Sequence, residues 1–398
     1  MRIRSHIGLL FLAALLTACV YPYDVRPDDR PVLSLVVEFP EEMETKASVG
    51  EQSALANEYK INNLRIWVFN HDDPGHPVIL ARTIAAADFP VGENVRRYTF
   101  PVPASFAGNP PRVDVFVLAN SAATGCSLYT RDDGNTCSTY AEVSGAILED
   151  NTSPYKGFGT ADPVHTVTDY GLPMSGCMIN QKVDGEDPQL SVPTVTLTRT
   201  VSRIRFVFCK TPSTTDITIT DIKLCNGQTI EGTLTGGFIA AQEYLFLTNG
   251  GTTNLNGYVT EDFHLFSSSG TSGAEIANNP EPEQLFYGQQ DPTAYEQLIQ
   301  NALNSGILTA LPSKENQFTY LRESDKQLTG TITYIVYQGG NWVTKSKPFV
   351  MADPGDFARN HTWTVFAYFQ PDSYDLNLQF TVTPWTGYLS SDINTSHL

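Results

Sequence analysis

Alternation with a period of two recurs along nearly the whole chain, and it restricts the fold to strands. Leu33, Leu35, Val37 and Phe39 alternate with Ser34, Val36 and Glu38, the pattern of a half-buried strand. Residues 61–69, INNLRIWVF, read as a strong strand. Residues 112–119, RVDVFVLA, are apolar at both parities, which predicts burial on both faces. A long Thr-rich run at 192–208 reads as a strand with a bend, and further strands are expected at 216–224, 329–337, 362–369 and 376–383. Clusters of Gly, Pro, Asn and Asp separate these runs. Helical spacing is confined to 292–304, with Pro292 near its start, and to single turns within 51–58 and 136–150. The expected fold is therefore all-β, built of β-sandwiches with minor short helices. A length of 398 residues predicts about two domains. The polar stretch QKVDGEDPQLS at 181–191 reads as their linker and gives domains at 31–185 and 190–398.

The first 18 residues have the character of an export signal. Arg2 and Arg4 precede a short apolar stretch, Ile7 to Ala18, which is too short to span a bilayer. It ends Leu15-Leu16-Thr17-Ala18-Cys19, which resembles a bacterial lipobox. Cys19 is then the acylated N-terminus of an outer-membrane lipoprotein, held by about 0.8 kcal/mol for each buried CH₂. Residues 19–30 read as a proline-punctuated tether. Further along, no apolar run approaches the roughly 18 residues of a transmembrane helix. The chain carries 43 acidic against 25 basic residues, a net charge of −18. That balance argues against a nucleic-acid partner and against electrostatic docking on anionic lipid.

Catalytic signals are lacking. HExxH, GxSxG, a phosphate loop and a dinucleotide fingerprint are all missing from the sequence, and no nucleophile–base pair stands out. The chain reads as a non-enzyme with no cofactor. His71-Asp72-Asp73-Pro74-Gly75-His76 is the one local concentration of metal-ligating types. Its Pro-Gly step reads as a turn between strands, and no metal is expected. The six cysteines leave five once Cys19 is acylated. Spacing allows a local Cys126–Cys137 disulfide and a cross-strand Cys209–Cys225 disulfide with Cys177 free, but does not fix the connectivity. Trp342, in GGNWV, falls in a hairpin turn, where it would be either an exposed adhesive contact or, by default, folded back on its sheet.

Several segments together resemble the fimbrillins of Bacteroidota, the type V pilins. After the lipobox and first strand come Glu44-Thr45-Lys46-Ala47 and then INNLRIWVF, in the family's order. Leu172-Pro173-Met174-Ser175-Gly176 resembles its PMSG motif. Leu197 to Ile204, LTRTVSRI, resembles the strand that opens its second domain. Arg359-Asn360-His361-Thr362-Trp363 resembles its late R-N-x-x-Y strand, and Trp385 fits its C-terminal Trp. The resemblance implies two tandem transthyretin-like β-sandwich domains. It also implies a surface lipoprotein that a trypsin-like protease cuts, removing the lipid and the first strand, whose groove a strand of another fimbrial subunit then fills. Here the removable plug would be Leu33, Leu35, Val37 and Phe39. Arg26 and Arg30 precede proline, which leaves Lys46-Ala47 as the processing site, although the family's best-known site carries Arg. The donor would lie in Leu376 to Leu389, with Leu376, Leu378, Phe380, Val382 and Trp385 as its plugs and Pro384 interrupting its ladder. Two other readings accompany this one: an uncut lipid-anchored pilus anchor, and a surface glycan-binding lipoprotein that never polymerises.

Overall fold

The computed structural model describes residues 31–40 and, with internal gaps, 57–385. Ten strands build its first half: β1 (Val32–Glu38), β2 (Asn63–Asn70), β3 (Val78–Ala85), β4 (Val95–Pro101), β5 (Val113–Ala119), β6 (Met174–Gln181), β7 (Asp184–Glu186), β8 (Gln189–Ser191), β9 (Val195–Thr196) and β10 (Thr198–Arg199). One sheet runs β4-β1-β8-β7, with β9 also on β1, and the other runs β10-β6-β5-β2-β3. Leu33, Leu35 and Val37 from the first sheet pack against Ile66, Val68, Val115, Val117 and Met174 from the second. Period-two alternation in each strand puts these residues on one inner face, which is what a sandwich requires.

Strand β5 is buried on both sides, as its apolar run predicts. Its odd-numbered valines face the sandwich core. Its Phe116 and Leu118 face a second cluster with Trp67, Leu128, Val143 and Val167, under the long connection between β5 and β6. That connection holds the short helix α1 (Tyr140–Ser144), started by a Thr139–Glu142 capping box.

The second half continues with β11 (Val201–Lys210), β12 (Ile217–Leu224), the small hairpin pairs β13 (Thr229–Ile230) with β14 (Thr233–Leu234) and β15 (Ala240–Glu243) with β16 (Leu255–Tyr258), then β17 (Phe263–Ser267), β18 (Ala274–Glu275) and β19 (Ala277–Asn278). It closes with helix α2 (Pro292–Asn304), β20 (Thr309–Leu311), β21 (Thr319–Arg322), β22 (Thr329–Gln338), β23 (Asn341–Val350), β24 (His361–Phe369) and β25 (Leu376–Pro384). One sheet runs β19-β11-β24-β25 with β20 and β21 on β11, and its partner runs β17-β12-β22-β23 with β18 on β12. Their shared core includes Ile204, Phe206, Ile219, Ile332, Trp363 and Val365. Helix α2 lies on the outer side of the β11–β24 sheet, where Tyr295, Ile299 and Leu303 meet Val207, Cys209 and Phe366. Asp291 caps it by accepting from the N–H groups of Thr293 and Ala294 at 2.9 and 3.0 Å.

Three expectations need correction. The stretch 181–191 is not a linker: β7 and β8 form a hairpin there that completes the first sheet. The chain passes from one sandwich to the other near Thr200 instead, and the expected long strand at 192–208 is split into β9, β10 and β11 across that passage. Polar hairpins and linkers share a composition, so the sequence does not separate them. The proposed disulfides are also not formed, since Cys126, Cys137, Cys177 and Cys209 are free thiols. β11 and β12 lie in facing sheets, with Cys209 turned toward α2; Cys225 lies outside the described residues. Finally, Pro384 does not interrupt the last ladder, which continues to a Pro384–His361 pair. At the end of an edge strand a missing N–H costs no ladder bond.

Candidate functional site

Strand β1 comes first among the described residues yet lies inside its sheet. All seven residues pair antiparallel with β4, from Val32–Pro101 to Glu38–Val95. On its other side it runs parallel to β8 at Val32–Ser34 and to β9 at Val37–Glu38. The Val192 N–H donates to the Ser34 carbonyl at 3.2 Å, and the Leu197 N–H to that of Glu38 at 2.8 Å. Thr196 Oγ1 donates to the Glu38 carboxylate at 2.9 Å. Leu33, Leu35 and Val37 are fully buried, Phe39 is nearly so, and the Arg96 guanidinium lies over the Phe39 ring at 5.4 Å. The four expected plug residues are therefore brought together on one buried face. Cys19, Lys46 and Ala47 lie outside the described residues.

The PMSG motif explains how β9 reaches β1. A Cβ on Gly176 would strike the Thr196 carbonyl oxygen and approach Val195 Cγ1 to 2.8 Å. Glycine there lets β9 cross close over β6.

The C-terminal segment is docked in its own sandwich. β25 pairs with β24 from Leu376–Phe369 to Pro384–His361, and β24 is its only partner strand among the described residues. Leu376 is buried in the core; Leu378, Phe380 and Val382 pack partly buried against it. Phe380 meets the Phe349 ring at 6.0 Å.

Beyond β25, Trp385 is fully buried in a cluster that draws on both sandwiches. The Arg199 and Arg203 guanidinium groups lie 4.6 and 4.4 Å from its ring centroid, and the Tyr320 ring lies at 5.8 Å. Its backbone N–H donates to the Asn360 carbonyl at 2.9 Å. Glu58 neutralises Arg203, accepting from Nη1 at 2.9 and 2.7 Å, and also accepts from the Tyr320 hydroxyl. Burial works against the Arg203 charge, but Glu58 together with Tyr59, Glu296 and Tyr320 outweighs it and holds the pKa above its ordinary value. Burial lowers the pKa of Arg199, whose Nη1 donates to Asn360 Oδ1 at 3.3 Å. Asn360 itself sits at φ 61°, a left-handed turn that asparagine tolerates. Arg359 donates to Glu323 at 2.5 and 3.1 Å and lies 3.4 Å from Glu243. Burial, then the Glu323 charge, push the Glu243 carboxyl well up, while Arg359 pulls it down. The motifs around Arg199, Arg203 and Arg359 thus converge on the joint where the last strand ends.

Trp342 is not folded back on its sheet; of the two readings it follows the exposed one. It is 46 % exposed and pairs edge-on with the 44 %-exposed Tyr337 at 5.3 Å across the β22–β23 hairpin, next to the Gly339-Gly340 turn.

The sequence profile of the major fimbrial subunit protein (FimA) family matches residues 32–260. The chain belongs to that family. It is a structural subunit of cell-surface fimbriae. The match opens at β1, so this strand lies within the matched residues. Among solved structures, a candidate cell adhesion protein from Parabacteroides distasonis is similar over 90 % of this chain and 98 % of its own, with 18 % identity and a TM-score of 0.50. The tip fimbrial protein Mfa3 from Porphyromonas gingivalis aligns over 89 % of this chain and 99 % of its own, with 13 % identity and a TM-score of 0.46. No curated protein matches the chain in sequence. Among the described residues no helix is long and apolar enough to cross a membrane.

Proposed function

We propose that this fimbrial subunit is exported as a lipoprotein acylated at Cys19, cut between Lys46 and Ala47, and polymerised by strand exchange. In this reading β1 is the removable plug, and the segment from Leu376 to Leu389 is the strand given to the next subunit. The partners are other fimbrial subunits and a trypsin-like protease, and the outer membrane until the cut is made.

The observation that carries this reading is the place of β1: the first strand among the described residues, held between β4 on one edge and β8 and β9 on the other, with one face wholly buried. Removing it opens two strand edges over an apolar groove. Each buried plug residue contributes about 1.5–3 kcal/mol. Four together rival the whole net stability of a domain, about 5–15 kcal/mol. A subunit that has lost β1 therefore needs a replacement strand, and β-augmentation supplies one: backbone hydrogen bonds on both edges, alternate side chains in the vacated pockets. The spacing of Leu376, Leu378, Phe380 and Val382 repeats that of Leu33, Leu35, Val37 and Phe39. Glu58 lies downstream of Lys46 and would stay with the cut chain, keeping its ion pair with Arg203.

Intact mass and N-terminal sequencing of membrane and sheared fractions test the proposal. A sheared species that starts at Ala47 and runs in SDS-resistant ladders is expected. A single membrane-bound species beginning at acylated Cys19 would overturn polymerisation and leave an uncut anchor.

A further inference from the structure

The turn between β2 and β3 brings two histidines onto one buried carboxylate. His71 follows β2 directly, and its N–H donates to the Arg112 carbonyl at 2.8 Å. Asp72 and Asp73 are used by the turn itself. Asp72 accepts from the Arg112 N–H at 2.8 Å, and Asp73 Oδ1 from the Gly75 N–H at 2.8 Å. The turn then directs His76 back toward β5, where Asp114 is fully buried on the outer face of the sheet. Asp114 Oδ1 accepts the Asn180 N–H at 2.7 Å and lies 2.8 Å from His71 Nδ1. Its Oδ2 has no hydrogen bond, and neither has His76 Nδ1, although the two atoms are only 3.3 Å apart. The donor atoms of His71, His76 and Asp114 all lie within 4.8 Å of one another. Tyr140 stacks on the His76 ring at 4.1 Å and 14°, which fixes its orientation.

We propose that His71, His76 and Asp114 bind a first-row divalent metal ion, with zinc as the best fit. A buried carboxylate oxygen left without a hydrogen bond is costly, and an ion between it and the imidazole would satisfy both. Ligand bonds of about 2.0–2.1 Å around a tetrahedral ion put neighbouring donors about 3.3 Å apart. The His76–Asp114 pair has that separation. Two imidazoles and one carboxylate suit zinc and its neighbours, whereas calcium and magnesium call for shells built from oxygens. Both histidine side chains remain about a quarter exposed, so water can enter as the fourth ligand. The ion would tie the β2–β3 turn to β5.

The test is a titration of the full-length chain with Zn²⁺ alone, after chelator treatment and removal of the chelator. One saturable equivalent is expected, with a rise in Tm on binding and with Co²⁺ giving a tetrahedral spectrum in its place. His71→Gln and His76→Gln change partly exposed side chains, and each should weaken binding by more than about tenfold while leaving the metal-free Tm near that of the parent. Asp114→Asn should abolish binding, but Asp114 is buried and its loss also disturbs the sheet, so the two histidine variants decide the outcome. No saturable equivalent, an affinity unchanged in both histidine variants, or an equal response to Ca²⁺ would each overturn the proposal.

Discussion

Trp385 shows how much one side chain can hold. Its indole is fully buried, and both nearby guanidinium groups are desolvated, the setting in which cation–π attraction reaches about 2 kcal/mol or more. Trp385→Ala should cost about 3–5 kcal/mol and make β25 accessible to protease. Thermal melts and timed proteolysis read both effects, and unchanged cleavage would show that Trp385 does not hold β25 in place. His165 offers a pH test. It contacts the Phe318 carbonyl at 3.3 Å and Thr319 Oγ1 at 3.0 Å, and burial lowers its pKa below the ordinary 6.5. The folded chain thus keeps His165 neutral where the unfolded chain takes a proton. Its contribution is complete above about pH 6.5 and is lost as pH falls below that value. Melting temperatures of the parent and His165→Gln should diverge less at pH 5 than at pH 8. The thiols are a third case at this scale. Burial pushes Cys177 up to about 11 and Cys209 up to about 12, so both should resist alkylation at neutral pH while the protein is folded. Mass spectrometry after brief alkylation, with and without denaturant, checks this.

Among the elements, β1 and β9 depend on one another, and Gly176 sets how closely β9 approaches β6. Gly176→Val should push β9 off β6 and weaken the β1 edge, while Leu35→Ala should remove about 2–5 kcal/mol from the core beneath it. Hydrogen exchange of the β1 amides separates the two: the glycine change should loosen the Glu38 end of β1, where β9 pairs, more than the Val32 end. Most strands were legible in the sequence because alternating burial leaves a period-two trace, clear in Leu33–Phe39 and in Leu376–Val382. β7 and β8 were not, because among Asp184, Gly185, Gln189, Leu190 and Ser191 only Leu190 is buried. The plug face could be read from spacing, since its residues are two apart. The surroundings of Trp385 could not, because Glu58, Arg199, Tyr320 and Asn360 come from four distant places in the chain. The same limit hid Asp114, which joins His71 and His76 only once β5 pairs with β2.

For the whole molecule, the proposed strand exchange would compete with self-docking for the same segment. β25 cannot serve a neighbour while it pairs with β24 over nine positions and Trp385 stays buried. Docking also covers an edge that would otherwise invite unselective pairing. A chain cut after Lys46 should therefore be destabilised alone and regain stability with a synthetic peptide of residues 376–389. A Tm that does not respond to that peptide, but does respond to one of residues 32–39, would mean that the groove accepts only its own strand. The interior place of β1 has a further consequence, for the order of folding. Glu38 and Thr196 are 158 positions apart, so β1 can pair early with β4 but must wait for β9 before its other edge is complete. Once such a strand is cut away, the folded remainder cannot recover it at the local concentration that a single chain provides. Loss of β1 would then act as a ratchet: the subunit can go forward into a fibre, but it has no direct route back to its monomeric ground state.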